Sequence, residues 1–217
     1  SSDLVKTLHK ENFTADTLNA LPKIKSKYDD EIICRTLMLN ALTKHYVELW
    51  RQVYTPIFNE ITWSKKDQRL DNECFTKMTG NWTMEYGLYS DYARRQAMIE
   101  IDVLSAMAIG MTLDQLIDVY RITFSVMRKY EGDTWYDANG RIAFSAKSMG
   151  DLTYKRPEWE NSISTAPVGK KFYRTIIDNT LPSGPIERTI EYEAPFVCCD
   201  REKDYEVAWE FFDKKYR

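Results

Sequence analysis

A helix stop and a helix start lie two residues apart near the middle of the chain, and they fix the local architecture. Gly110 follows a run in which Ala97, Ile101, Leu104 and Ala108 recur at three- to four-residue spacing. A glycine there can adopt the left-handed conformation that closes a helix. Thr112 and Gln115 have the spacing of a capping box. Leu113, Leu116, Ile117, Tyr120, Phe124 and Met127 then form the next apolar stripe. With Ser90 or Asp91 as the first cap, the pattern predicts a helix to Ile109 and a second from Leu113, joined as a hairpin or corner.

The flanks differ in texture. Ile33, Leu37, Ala41, Leu42, Tyr46, Leu49 and Val53 predict one core helix over Asp30–Tyr54, ended by Pro56. Residues 1–29 are polar and Lys-rich, and read as short helices or an extended lead-in broken at Pro22. Residues 55–89 read as a long irregular connection that Trp63, Phe75 and Trp82 must pin down. Asp137-Ala138-Asn139-Gly140 is a turn signal, with a short strand Arg141–Ser145 after it. Lys171–Ile177 and Ile186–Tyr192 alternate as strands about a turn holding Pro182, Gly184 and Pro185. Asp200 caps a last helix with Tyr205, Ala208, Trp209 and Phe212 on one side. The expected fold class is α+β, predominantly helical: a helical first part with a helix pair, then a small antiparallel sheet and a closing C-terminal helix. A single domain over 1–217 is expected, with a possible subdivision into 1–89 and 90–217.

Composition supports a packed globule, with 43% hydrophobic and 13% aromatic residues. No apolar run approaches the roughly 20 residues that span a bilayer, so no membrane partner is expected. The four cysteines, Cys34, Cys74, Cys198 and Cys199, are too sparse for a disulfide scaffold, and read as reduced thiols of a cytoplasmic protein. His9 and His45 do not repeat at ligand spacing and there is no Cys-x-x-Cys, so no metal site is expected. The start, Ser1-Ser2-Asp3-Leu4, has neither an initiator Met nor a signal-peptide pattern. The expectation is the carboxy-terminal piece of a larger protein.

No complete catalytic motif occurs. There is no Gly-rich cofactor turn with an Asn-Pro-Pro-Tyr-type loop, no G-x-x-x-x-G-K-[ST], no nuclease-type Glu-x-Lys and no G-x-S-x-G. Glu131, Asp133, Asp137 and Asn139 crowd into nine residues but lack the alternate-position oxygens and the distal Glu of a calcium loop. They read as a helix-to-strand corner whose side chains satisfy turn backbone, and only secondarily as a cation or acid–base site. No catalytic residue is expected.

The net charge is −3, yet residues 141–174 hold seven basic residues against three acidic, a local +4 that leaves −7 elsewhere. Arg141, Lys147, Lys155, Arg156, Lys170, Lys171 and Arg174 are interleaved with Tyr154, Trp159, Phe172 and Tyr173. Such cations can neutralise phosphates while an aromatic stacks. The seven basic residues and Trp159 are the candidate DNA contacts. The competing reading is a solvated surface with core aromatics.

Several phrases resemble the carboxy-terminal region of large bacterial Eco57I-type restriction–modification methylases, including those linked to phage-defence islands. They are Asp91-Tyr92-Ala93-Arg94-Arg95-Gln96-Ala97 into Ile99–Leu104, Thr112–Leu116 with Tyr120-Arg121, Tyr130–Ile142, and Cys199–Tyr205 before Ala208-Trp209. They cover roughly residues 90–213. The resemblance implies a parent enzyme that methylates adenine in DNA with S-adenosylmethionine. Its catalytic residues would lie in an upstream domain, so no cofactor is expected in this chain. The expected partners are duplex DNA and the rest of the parent. The expected role is a non-catalytic accessory domain for DNA contact or target recognition. The alternative is a protein-interaction or scaffolding domain that does not contact DNA.

Overall fold

The computed structural model describes residues 25–147 and 149–217. The lead-in expected over 1–29 lies almost wholly outside them. The fold is α+β, with small antiparallel sheets and a C-terminal helix, as the sequence pattern implied.

The single helix expected over Asp30–Tyr54 is two. α1 spans Asp29–Asn40 and α2 spans Val47–Val53. Ala41 leaves helical geometry, Thr43 is extended, and a one-turn helix at Lys44–Tyr46 re-enters. Asn40 and Thr43 are poor helix formers, so little holds the run together there. The break and the true phase of α1 also move the buried face. Cys34, Leu37, Met38, Ala41 and Trp50 fill the core, whereas Ile33, Tyr46 and Leu49 are exposed.

The connection over 55–89 is irregular, and side chains satisfy its backbone. Trp50 Nε1 donates to Thr79 O at 2.8 Å, Trp63 Nε1 to Asp71 O at 3.0 Å and Trp82 Nε1 to Ala41 O at 2.8 Å. The Asn59 amide reaches the carbonyls of Phe75, Thr76 and Met78. A buried carbonyl without a partner would be costly, so these donors make the loop stable without a ladder.

α3 (Asp91–Ala108) starts at Ser90, whose side chain accepts from Ala93 N, and closes at Gly110 with φ +75°. The Thr112–Gln115 capping box opens α4 (Leu113–Thr123). The expected continuation through Met127 fails at Phe124, where the helix breaks before α5 (Ser125–Glu131). The break turns Phe124 out of the stripe, and it is 46% exposed.

β1 (Thr134–Tyr136) was not legible as a strand, nor was β5 (Val197–Cys198). β2 (Ile142–Ser145) flanks β1 on one side and β5 on the other, giving the order β2-β1-β5. β3 (Lys171–Asp178) and β4 (Ile186–Glu193) form an eight-pair antiparallel ribbon. α6 (Arg201–Tyr216) is capped by Asp200 and packs on α3. Gly140 sits at φ +81°, and a Cβ there would stand 2.7 Å from Ser90 Oγ. The turn between β1 and β2 thus seats directly on the α3 cap, with Tyr92 N donating to Gly140 O at 2.9 Å.

The helices meet at a fully buried guanidinium. Arg35 Nη1 pairs with Glu31, its Nε donates to Glu100 Oε2 at 2.5 Å, and its Nη2 donates to Thr62 O at 3.0 Å. Glu100 also accepts from Ser64 N, Ser64 Oγ and Gln96 Nε2. Removing one partner of such a pair strands the other charge. Arg35→Met is therefore expected to cost about 3–5 kcal/mol in urea unfolding at neutral pH; a loss under about 1 kcal/mol would show that the network is not stabilising.

Candidate nucleic-acid interface

The eight candidate contacts do not form one open basic face. Arg156 begins a short helical segment and is held by Asp133 Oδ2 at 2.5 Å and Glu160 Oε1 at 3.0 Å, with its guanidinium over the Phe144 ring. Lys171 pairs across the ribbon with Glu191 at 2.7 Å. Arg174 donates to Asp151 O, lies 3.4 Å from Glu158 and covers the Tyr154 ring. Arg141 is exposed, and its Nη1 donates to Glu191 O at 2.8 Å. Lys147, Lys155 and Lys170 are exposed and enter no ion pair among the described residues.

Trp159 is not a surface residue. It is 3% exposed, stacked on Phe144 with centroids 5.3 Å apart and edge-on to Phe196 at 5.0 Å. Tyr154 is buried and Phe172 half-buried in the same cluster. Of the four interleaved aromatics, Tyr173 alone is largely exposed. The composition that resembled a stacking surface is mainly the core of a small lobe.

Charges outside the 141–174 window finish the neutralisation. Lys171, Tyr173, Thr175 and Ile177 face outward on β3, opposite Glu193, Glu191, Thr189 and Glu187 of β4. The outer face of the ribbon is therefore acidic. The cleft of about 1170 Å³ beneath the ribbon holds Arg141, Arg174 and Arg188 against Asp91, Asp151 and Asp178, so its formal charges cancel.

The acidic cluster disperses in the fold. Asp137 Oδ1 accepts from Asn139 N at 2.9 Å and Arg141 N at 2.8 Å, the backbone-satisfying role expected of it, and Oδ2 accepts from Glu193 N at 3.3 Å. Burial raises its pKa despite those donors. Asp133 serves Arg156, while Glu131 turns inward to Arg201, Arg95 and Tyr120. Among the described residues no group of three His, Cys, Asp or Glu side chains is placed to hold a metal. All four cysteines are unpaired, and burial pushes the Cys74 thiol up to about 12. Such thiols are poor nucleophiles. No helix among the described residues is long and apolar enough to cross a membrane.

One surface escaped the sequence reading. An apolar groove of about 720 Å³ lies along α3, α4 and α5, with Met98, Ile109, Val119, Phe124 and Met127 in its walls. Its signal is the apolar excess after Leu116 on the amphipathic second helix, which the sequence offers in support of the protein-interaction alternative without placing the groove. Compared with protein-family models, curated proteins and solved structures, the chain matches none.

Glu131 gives a pH signature. Burial would raise its pKa, but hydrogen bonds and charge from Arg201, with the charge of Arg95, outweigh burial and hold it below the usual range. A depressed carboxyl stabilises the fold above its unfolded pKa of about 4.3, and that contribution is lost as pH falls through the folded value. Denaturant titrations from pH 6 to 3 should show a steeper loss in the native chain than in Glu131→Gln. Parallel curves would remove Glu131 as the cause.

Proposed function

We propose that this chain is a non-catalytic accessory domain that contacts duplex DNA through phosphates. Its parent would be a large adenine-specific methylase of the restriction–modification type. The resemblance over residues 90–213 supports the parentage, with S-adenosylmethionine bound by an upstream domain and the whole acting in the cytoplasm. The observation that carries the DNA reading is the set Lys147, Lys155 and Lys170. They are exposed and outside every ion pair among the described residues. The segments bearing them converge on the Phe144–Trp159–Phe196–Phe172 aromatic stack.

Phosphate contact fits this geometry better than base reading. A two-stranded ribbon has the width to enter a major groove. Glu187, Glu191 and Glu193 on the outer face of β3–β4 would meet phosphate repulsion there. Lys147 and Lys170 lie off that outer face, while Lys155 sits beside Glu158, whose Oε2 accepts from Lys155 N at 3.0 Å. The domain then holds DNA for the parent and leaves sequence choice to other parts of it. A second reading, a protein-interaction domain that does not touch DNA, is favoured by one observation: the apolar groove along α3–α5.

Three phosphate contacts release about three counterions, giving a log–log salt slope of roughly −2.7. Anisotropy titrations with a mixed-sequence duplex should therefore weaken about 40-fold between roughly 50 and 200 mM salt. Alanine at Lys147, Lys155 or Lys170 should each reduce the slope by about one, while Lys171→Ala, already neutralised by Glu191, should leave it nearly unchanged. No binding at low salt, or a slope indifferent to the three lysines, would end the DNA reading and favour the protein-interaction one.

A further inference from the structure

The cleft beneath the ribbon is balanced in charge by count but not by contact. Of its three carboxylates, Asp91 accepts from Ile142 N at 3.1 Å, and Asp178 accepts from Thr180 N at 2.9 Å and Thr180 Oγ1 at 2.6 Å. The third, Asp151, has a side chain 80% exposed. Of its three guanidiniums, Arg174 and Arg188 each approach a carboxylate at 3.4 Å. Arg141 enters no ion pair among the described residues, and its Nη1 donates to a neutral carbonyl, Glu191 O. A carbonyl does not cancel the charge. The residue is also held in place, because Asp137 Oδ1 accepts from Arg141 N at 2.8 Å and Asp137 N donates to Arg141 O at 2.9 Å.

Tyr89 lines the same cleft. Its ring is 53% exposed and meets no other aromatic ring among the described residues. The ring is nevertheless pinned. Its hydroxyl donates to Leu42 O at 2.9 Å, and the ring lies against Gly87, where a Cβ would come within 2.9 Å of Cε2. Tyr89 precedes Ser90 and Arg141 follows Gly140, so the close Ser90–Gly140 contact keeps their backbones adjacent. An exposed tyrosine or arginine alone needs no explanation. A fixed bare ring beside an unpaired guanidinium is a two-part site, already ordered before a ligand arrives.

The two parts select a ligand that carries a planar ring and an anion a short distance apart. A nucleotide meets both demands: its base stacks on an aromatic face, and its phosphate accepts from the guanidinium fork. The base must be unpaired, because a base within a duplex already stacks on its neighbours. We propose that the cleft beneath the ribbon binds an unpaired nucleotide, with its base on Tyr89 and its phosphate on Arg141. A DNA single strand and a free nucleotide offer the same chemistry. The inference does not rest on duplex contact by Lys147, Lys155 and Lys170, because neither residue is among them.

Anisotropy of the 217-residue chain with a short labelled single-stranded DNA is the test, with deoxyguanosine monophosphate as competitor. Tyr89→Ala should weaken binding about tenfold or more, whereas Tyr89→Phe, which keeps the ring, should retain most of it. Arg141→Ala should weaken binding and lower the log–log salt slope by about 0.7. Both side chains are exposed, so circular dichroism should remain that of the native chain. Displacement by the monophosphate makes the free nucleotide a ligand of the site, and binding of the strand alone makes the strand its source. Neither probe binding, or binding that Tyr89→Ala and Arg141→Ala leave unchanged, overturns the proposal. So does an abasic strand that binds as tightly as the native one. Duplex binding should not respond to Tyr89→Ala, so a duplex that fails to bind leaves the single-strand result standing.

Discussion

One guanidinium with no exposed surface sets the geometry of the helical part. Arg35 draws two carboxylates to itself, Glu31 from its own helix and Glu100 from α3 sixty-five residues later. Transfer of three charges from water costs several kcal/mol per ion, and only close pairing with every lone pair filled offsets it. Most of that condition is met, with the buried Gln96 Oε1 the exception. Glu100 takes three further donors from Ser64 and Gln96, and Glu31 takes Lys215 and Tyr216 from the end of α6. The faces of the guanidinium lie against Trp63, Phe75 and Phe212. With Lys215 counted the cluster is formally neutral, so it can be buried without a leftover charge. It requires α1, the irregular connection, α3 and α6 to arrive together, and a different packing of the same apolar faces would leave an ion stranded.

A second polar seam runs from there toward the β lobe. Arg95 of α3 meets Asp204 of α6 at 2.5 Å, and Lys65 approaches the same carboxylate at 2.6 Å. Arg201 then joins Glu131 at the end of α5 to Asp102 of α3, with Tyr205 donating to Asp102 at 2.8 Å. Burial raises the Asp102 pKa against the pull of Tyr205 and Arg201, so this arm of the seam works partly against itself, unlike Glu131. By fixing Glu131, the seam fixes where β1 begins three residues later. The turn after β1 is fixed in turn by the Ser90–Gly140 contact. The lobe that carries the candidate lysines is thus positioned from two ends by α3.

What could be read from the sequence was what depends on near neighbours. Ser90, Gly110, Thr112 with Gln115, Gly140 and Asp200 each act within four residues, and each occupies the place its local chemistry requires. What depends on distant partners could not be read. Arg35, Glu31 and Glu100 look like surface charges until the fold brings them together. The basic segment 141–174 looks like a patch until Glu191 and Glu193 from β4, and Asp133 from before β1, close on Lys171 and Arg156. Helical phase failed wherever a helix broke, because one irregular residue at Ala41 or Phe124 rotates everything after it. Leu49 and Phe124 fall on the wrong side for that reason, whereas Ile33, ahead of the break, is exposed by the phase of α1 itself.

These misreadings share a physical origin that also bears on function. The chain spends most of its charged residues on one another: ion pairs link α1 to α3 and α6, α3 to α6, and β3 to β4. Cations paired inside the fold contribute little long-range attraction, so on the reading proposed above DNA contact falls to exposed lysines outside those pairs. The apolar residues Ile122, Phe124 and Val126 at the α4–α5 junction are, by contrast, exposed among the described residues. On the reading proposed above, phosphate contact by Lys147, Lys155 and Lys170 and the exposed apolar residues of α4–α5 use different side chains, so the two surfaces make separate demands on the fold.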